Sequence, residues 1–240
     1  MSQPDEASQT QRSDLLVAFD ADDTLWHNEI YYRNAGEKFK RLLGRHRDPD
    51  QVERALAEME VRNIRWFGYG FKSYTLSMIE TAVALTGGQI AAHEIETILR
   101  FGREMLDADV LLFEHARAAL ISLFKHHDLM LITKGDLFEQ HRKLSRSGLA
   151  DFFKYTEIIP EKSSHAYQAI LDRHAISPDR FVMVGNSLKS DILPVLEIGA
   201  RAVFVPYEHT WANEHADGAG HTYHEIEHLG QLPELIASME

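Results

Sequence analysis

Leu15-Leu16-Val17-Ala18-Phe19-Asp20-Ala21-Asp22-Asp23-Thr24-Leu25-Trp26 sets five consecutive apolar residues directly against three carboxylates within four positions. A short, unbroken apolar run is the pattern of a parallel strand covered on both faces. In open α/β sheets the carboxyl ends of such strands are where ligands bind. Three carboxylates crowded at that end repel one another, so a cation is their natural neutraliser, and hard oxygen ligands favour magnesium.

The chain beyond this stretch divides in two. The apolar spacing predicts helices over residues 30–44, from Asp48-Pro49 to Trp66, over 72–86 with a stop at Gly87-Gly88, and over 91–106. From Phe113 onward strand and helix patterns alternate. Strands are predicted at Leu129-Met130-Leu131-Ile132, over 155–159, at Phe181-Val182-Met183-Val184 and at Ala202-Val203-Phe204-Val205, with Ile226 on a short edge strand. Helices are expected over 114–127, 136–148, 163–175, 190–198 and 232–239. This is an α/β chain, its core built from residues 15–27 and 111–240, with a separate helical unit inserted over 28–110. Residues 1–14 read as a loose polar tail without the basic-then-apolar order of a secretory signal.

Bulk properties narrow the function. At 240 residues and 44% hydrophobic content the chain is ample for one α/β domain and a smaller accessory unit. It has no apolar run long enough to span a membrane. The absence of cysteine rules out disulfides and thiolate metal sites and fits a cytoplasmic setting. A formal charge of -12 argues against a general nucleic-acid binder. A small anionic substrate would need positive charge supplied locally, by a metal and a few placed lysines or arginines.

Polar residues follow strand after strand. Asp20-Ala21-Asp22-Asp23-Thr24 follows the first, Ile132-Thr133-Lys134-Gly135 ends the second, Lys162 comes just after Ile158-Ile159-Pro160-Glu161, and Gly185-Asn186-Ser187-Leu188-Lys189-Ser190-Asp191 follows the fourth. In order and position these stretches resemble the four motifs of the haloacid dehalogenase-like (HAD) superfamily of phosphohydrolases. The resemblance implies a Rossmann-like core with a central, mostly parallel sheet flanked by helices, plus a small all-helical cap domain. It also implies a magnesium-dependent phosphomonoester hydrolase that acts on a small phosphorylated metabolite through an aspartyl-phosphate. Asp20 would be the nucleophile, Asp22 the acid and base, Thr133 a donor to the phosphoryl group and Lys162 its neutralising cation. Mg2+ would be held by Asp20, the Asp22 backbone carbonyl, Asp191 and Asn186. Asn186 departs from the pattern, because an aspartate is common there. The resemblance leaves open a phosphomutase, a 2-haloacid dehalogenase or a non-catalytic HAD-like binding protein. Asp22 argues against the dehalogenase, since those enzymes lack the second carboxylate. The expected partner is a small phosphorylated metabolite, with no nucleic acid or membrane, and the chain is expected to be a monomer or homodimer.

The remaining polar residues read more plainly. Asp23 is expected in a structural turn and Thr24 as an orienter of the loop. Lys134 stands between substrate contact and solvent, and Lys189 is expected to face water or pair with a nearby acid. In the helical insertion, Arg65, Tyr69 and Lys72 straddle a glycine break and are candidate contacts to the leaving group. The fourteen histidines, including the group from His209 to His228, read as solvated loop residues rather than a zinc site.

Overall fold

Strand β1 (Leu16–Phe19) is buried along its whole length, and its neighbours explain the apolar run. The computed structural model describes residues 13–214 and 216–240. Most of the predicted tail, and His215, lie outside the described residues. Side chains alternate across the strand. Val17 and Phe19 pack into one apolar cluster with Leu120, Leu123, Leu232 and Ile236. Leu16 and Ala18 pack into a second, with Tyr167, Ile170, Leu171 and Val195. With both faces covered, no position in β1 tolerates a polar residue until the chain leaves the sheet at Asp20.

Five further strands complete the sheet: β2 (Asp128–Lys134), β3 (Tyr155–Ile159), β4 (Phe181–Gly185), β5 (Arg201–Phe204) and β6 (His224–Glu225). Their order is β3-β2-β1-β4-β5-β6, and every pairing is parallel. The order reverses direction at β1, which pairs with β2 on one side and β4 on the other. That makes the carboxyl end of β1 the topological switch point, where the flanking loops diverge and leave a crevice.

Helices α1 (Glu29–Leu43), α2 (Pro49–Phe67), α3 (Phe71–Leu85) and α4 (Ala92–Asp107) lie between β1 and the rest of the sheet in sequence. They enclose an apolar cluster of their own around Phe39, Leu43, Val52, Met78, Ile98 and Phe101. The chain enters and leaves this unit side by side: Phe113 N–H donates to the Leu25 carbonyl at 3.0 Å and His27 N–H to the Leu111 carbonyl at 2.9 Å. The sheet is flanked by α5 (Ala116–Phe124), α6 (Leu137–Ser147), α7 (Ser164–His174), α8 (Leu193–Glu197) and α9 (Leu232–Ser238). Among the described residues no helix is long and apolar enough to cross a membrane.

Three boundaries differ from the sequence expectations. α5 starts only at Ala116, because His115 adopts a left-handed backbone (φ 70°) and breaks the turn. The predicted helix over 190–198 is a single π-helical turn, Leu188–Ile192, running into α8, where Pro194 occupies the first turn. The edge strand is His224–Glu225 rather than Ile226, whose side chain instead joins the core.

Candidate active site

The loop after β1 holds its three carboxylates in three different environments. Asp20 is only 6% exposed. Its N–H donates to the Val184 carbonyl at 2.9 Å, which continues the β1–β4 pairing one residue past the strand. Its Oδ1 accepts from Lys162 Nζ, which also donates to Asp191 Oδ1 at 2.6 Å. Its Oδ2 lies 3.0 Å from Thr24 Oγ1, and the same hydroxyl is 3.2 Å from Asn186 Oδ1. Burial raises the Asp20 carboxyl to about 7; Lys162 opposes this and the Asp191 charge adds to it. For Lys162 burial works against the charged form, but Asp191 and Asp20 outweigh it and hold the ammonium well above its ordinary range.

Asp22 lines the same crevice but is held by other partners. Its carboxylate accepts from Trp26 Nε1 at 2.7 Å, from Gln140 Nε2 at 2.7 Å and from Lys143 Nζ at 3.0 Å. Lys143 also reaches Asn28 Oδ1 at 2.8 Å and Glu139 at 3.1 Å. Asp23 has φ 61°, a left-handed conformation that aspartate tolerates better than most residues. Its carboxylate accepts from the Asn28 N–H at 2.8 Å and the Glu29 N–H at 3.1 Å, satisfying free donors at the start of α1. Burial raises Asp23 to about 6 against the pull of those two donors.

Each of the other strand ends delivers a side chain to the same crevice. Thr133, at the end of β2, is buried, and its Oγ1 accepts from Gln140 Nε2 at 3.1 Å. Lys162 follows β3. Gly185 closes β4, and a Cβ there would overlap the Asp191 carboxylate; only glycine lets that carboxylate lie against the strand. The π-helical turn brings Asp191 back toward β4, where Asp191 Oδ2 accepts from the Ser187 N–H at 3.0 Å.

These residues open onto one cavity of about 600 Å³, lined by Asp20, Thr133, Lys162, Asn186 and Asp191, and also by Lys134 and Tyr69. Lys134 donates to Glu214 at 2.6 Å and sits over the Tyr69 ring, whose hydroxyl donates to Glu161 at 2.8 Å. Arg65 and Lys72 are not among the residues that line it. Arg65 is exposed and stacks on Trp66; Lys72 is bound to Asp136 at 2.7 Å. The glycine break does bring Tyr69 inward, because Gly70 (φ 120°) turns the chain there, and a Cβ on it would come within 2.8 Å of Glu139.

The sequence reading missed Gln140, Lys143 and Glu214. Glu214 accepts from Ser187 Oγ at 2.6 Å and from Ser190 Oγ, so a carboxylate from the loop after β5 closes one side of the cavity. On α6 the usual amphipathic order is inverted: Leu137 and Phe138 are exposed while Glu139 and Gln140 are buried. That inversion was the available signal, and it becomes readable only once the helix is known to border a polar crevice.

Among the described residues no group of three or more histidine, aspartate or glutamate side chains is arranged as a metal cage. The donors nevertheless suit a hard cation. Asp20, Asp191 and Asn186 all present oxygen, linked through Lys162 and Thr24, and oxygen-only sets are those of magnesium. Two carboxylates against one ammonium leave a negative surplus.

Known proteins resemble this chain in fold and in sequence. A solved structure of a haloacid dehalogenase-like family hydrolase from Xanthomonas campestris superposes with a TM-score of 0.84 at 37% identity, covering 98% of this chain and 94% of that one. A glyceraldehyde 3-phosphate phosphatase from Methanothermobacter thermautotrophicus is 32% identical over 131 residues, 52% of this chain. That match spans only 58% of the relative's length. A second protein of that name, from Pyrococcus furiosus, is 26% identical over 208 residues, 80% of either chain. The model of one family, haloacid dehalogenase-like hydrolase, matches residues 15–199. The chain belongs to the haloacid dehalogenase-like hydrolases.

Proposed function

We propose that the protein is a magnesium-dependent phosphomonoesterase for a small phosphorylated metabolite, working through an aspartyl-phosphate on Asp20. The observation that carries this reading is the convergence of Asp20, Thr133, Lys162, Asn186 and Asp191 on one cavity at the switch point of the sheet. The two glyceraldehyde 3-phosphate phosphatases support a small phosphorylated substrate, and a cavity of about 600 Å³ suits one.

Phosphoryl transfer needs an in-line nucleophile and positive charge around the equatorial oxygens. The free Oδ lone pairs of Asp20 attack phosphorus, which splits one difficult step into two. Lys162 and Thr133 hold the phosphoryl oxygens, Lys162 by charge and Thr133 by its hydroxyl. Asp22 gives a proton to the leaving alcohol and later takes one from water. Gln140, Lys143 and Trp26 fix its carboxylate beside the crevice as positioning residues. Helices α1–α4 act as a cap that keeps water out during the first step.

Asp20, Asp191, Asn186 and the Asp22 backbone carbonyl would hold the magnesium. When bound, the ion supplies charge that offsets the Asp20–Asp191 surplus and makes the site attractive to a phosphate dianion. Chelation provides the test. Excess chelator should abolish phosphate release from p-nitrophenyl phosphate, and added Mg2+ should restore it; full turnover in chelator contradicts the proposal.

A further inference from the structure

The cavity as a whole is markedly acidic. Among the described residues, ten carboxylates and four cationic side chains line it. Three of the cations are already engaged. Lys162 is bound by Asp20 and Asp191, Lys134 by Glu214 at 2.6 Å, and Lys40 by Glu37 and Glu53 at 2.6 and 2.8 Å. The fourth, Arg33, is exposed.

Two of the acids stand apart. Glu29 begins α1 and Glu60 lies on α2; both are partly buried and line the cavity. Neither side chain makes a hydrogen bond or ion pair with a described residue, although Arg33 exerts a weaker pull on Glu29. Burial pushes Glu29 up to about 8, with the Asp23 and Glu60 charges adding to it, and pushes Glu60 up to about 7. Carboxylates withdrawn from water without a partner are costly, and such groups gather at functional sites.

A separate observation comes from α3. Ser73 is only 5% exposed and lines the same cavity, and its hydroxyl has no hydrogen-bond partner among the described residues. Tyr32 and Tyr74, packed edge to face at 5.0 Å between ring centres, complete this wall. Two unpaired carboxylates, a free hydroxyl and tyrosine rings are the features that receive an ammonium group. A second anion would be repelled here. A neutral polyol would meet the hydrogen-bonding capacity but offers these carboxyls no cation to stabilise their charged form.

We infer that Glu29, Glu60 and Ser73 bind an ammonium group on the leaving alcohol, so that the substrate is the phosphomonoester of an amino alcohol or amino sugar. This rests on the phosphatase reading above. It gives the acidic wall a role that phosphoryl transfer alone does not require: the ester approaches with its dianion toward Lys162 and its cation toward the helical unit.

Paired esters differing only in the amine test the inference. Ethanolamine phosphate is compared with 2-hydroxyethyl phosphate, and glucosamine 6-phosphate with glucose 6-phosphate, all with Mg2+, with p-nitrophenyl phosphate as the independent check on phosphatase activity. In the wild-type protein at least one amine ester should have a KM lower than its hydroxyl counterpart by about tenfold or more, and Glu29→Gln and Glu60→Gln should each erode that preference. Equal KM values within both pairs, or a preference that survives both substitutions, overturn the inference while hydrolysis of p-nitrophenyl phosphate keeps the phosphatase reading. Failure to hydrolyse any of the esters overturns the phosphatase reading and this inference with it.

Discussion

Asp20→Asn should lower the rate of phosphate release by about 10⁴-fold or more, the scale seen when a covalent nucleophile is removed. The amide is nearly the same shape as the carboxylate, so the hydroxyl of Thr24 keeps an acceptor and the strand pairing through the Asp20 N–H is untouched. Lys162 is left with Asp191 as a one-to-one pair. Because burial, with the Asp191 charge adding to it, outweighs the pull of Lys162 and disfavours the charged form of Asp20, removing that charge should not weaken the fold. In urea without metal the variant should unfold at or above the wild-type midpoint. An inactive but stable protein is the signature of a site whose geometry is held at some cost to stability. A variant that keeps substantial turnover would remove Asp20 from the chemistry.

Lys162→Met should have the opposite balance. Lys162 is buried and is the cation that touches both Asp20 and Asp191. Taking it away leaves two buried carboxylates facing one another, and breaking a buried ion pair from one side costs about 3–5 kcal/mol. The urea midpoint without metal should therefore fall well below that of the wild type, while Mg2+ should recover part of the loss by supplying positive charge to the same oxygens. Turnover should also drop by about 10²–10³-fold through lost stabilisation of phosphoryl charge. If the variant matches wild-type stability in chelator, the carboxylates do not depend on Lys162 for their placement.

Much of this was legible in the sequence, for reasons that differ by residue. β1 was readable because a strand buried on both faces has no polar positions until it ends. Thr133, Lys162 and Asp191 were readable because parallel strands point their carboxyl ends the same way, so residues far apart in sequence meet there. The different surroundings of Asp20, Asp22 and Asp23 follow from the tightness of the loop: a left-handed Asp23 turns one carboxylate back onto α1 while Asp22 is drawn toward α6.

What could not be read depended on how helices dock. Gln140 and Lys143 look like ordinary surface residues of a charged helix, and their contact with Asp22 exists only because α6 presents its polar side to the crevice. Glu214 arrives from a loop with no periodicity to place it. Arg65 and Tyr69 sit four positions apart in one basic and aromatic stretch. The turns at Gly68 and Gly70, rather than residue type, decide that Tyr69 lines the cavity and Arg65 does not. The acidity of Glu29 and Glu60 carries meaning only after α1 and α2 bring them to a common cavity without partners.

The phosphorylated nucleophile is the central claim, and trapping it is the most direct test. With p-nitrophenyl phosphate the leaving group needs no proton, so Asp22→Asn should still allow the first step while slowing attack by water on the phosphoenzyme. Acid quenching of that variant during turnover, followed by peptide mass spectrometry, should find one phosphoryl group on the peptide containing Asp20, removable by hydroxylamine as expected for an acyl phosphate. A phosphoryl group on any other residue, or steady phosphate release with none on Asp20, would contradict the account.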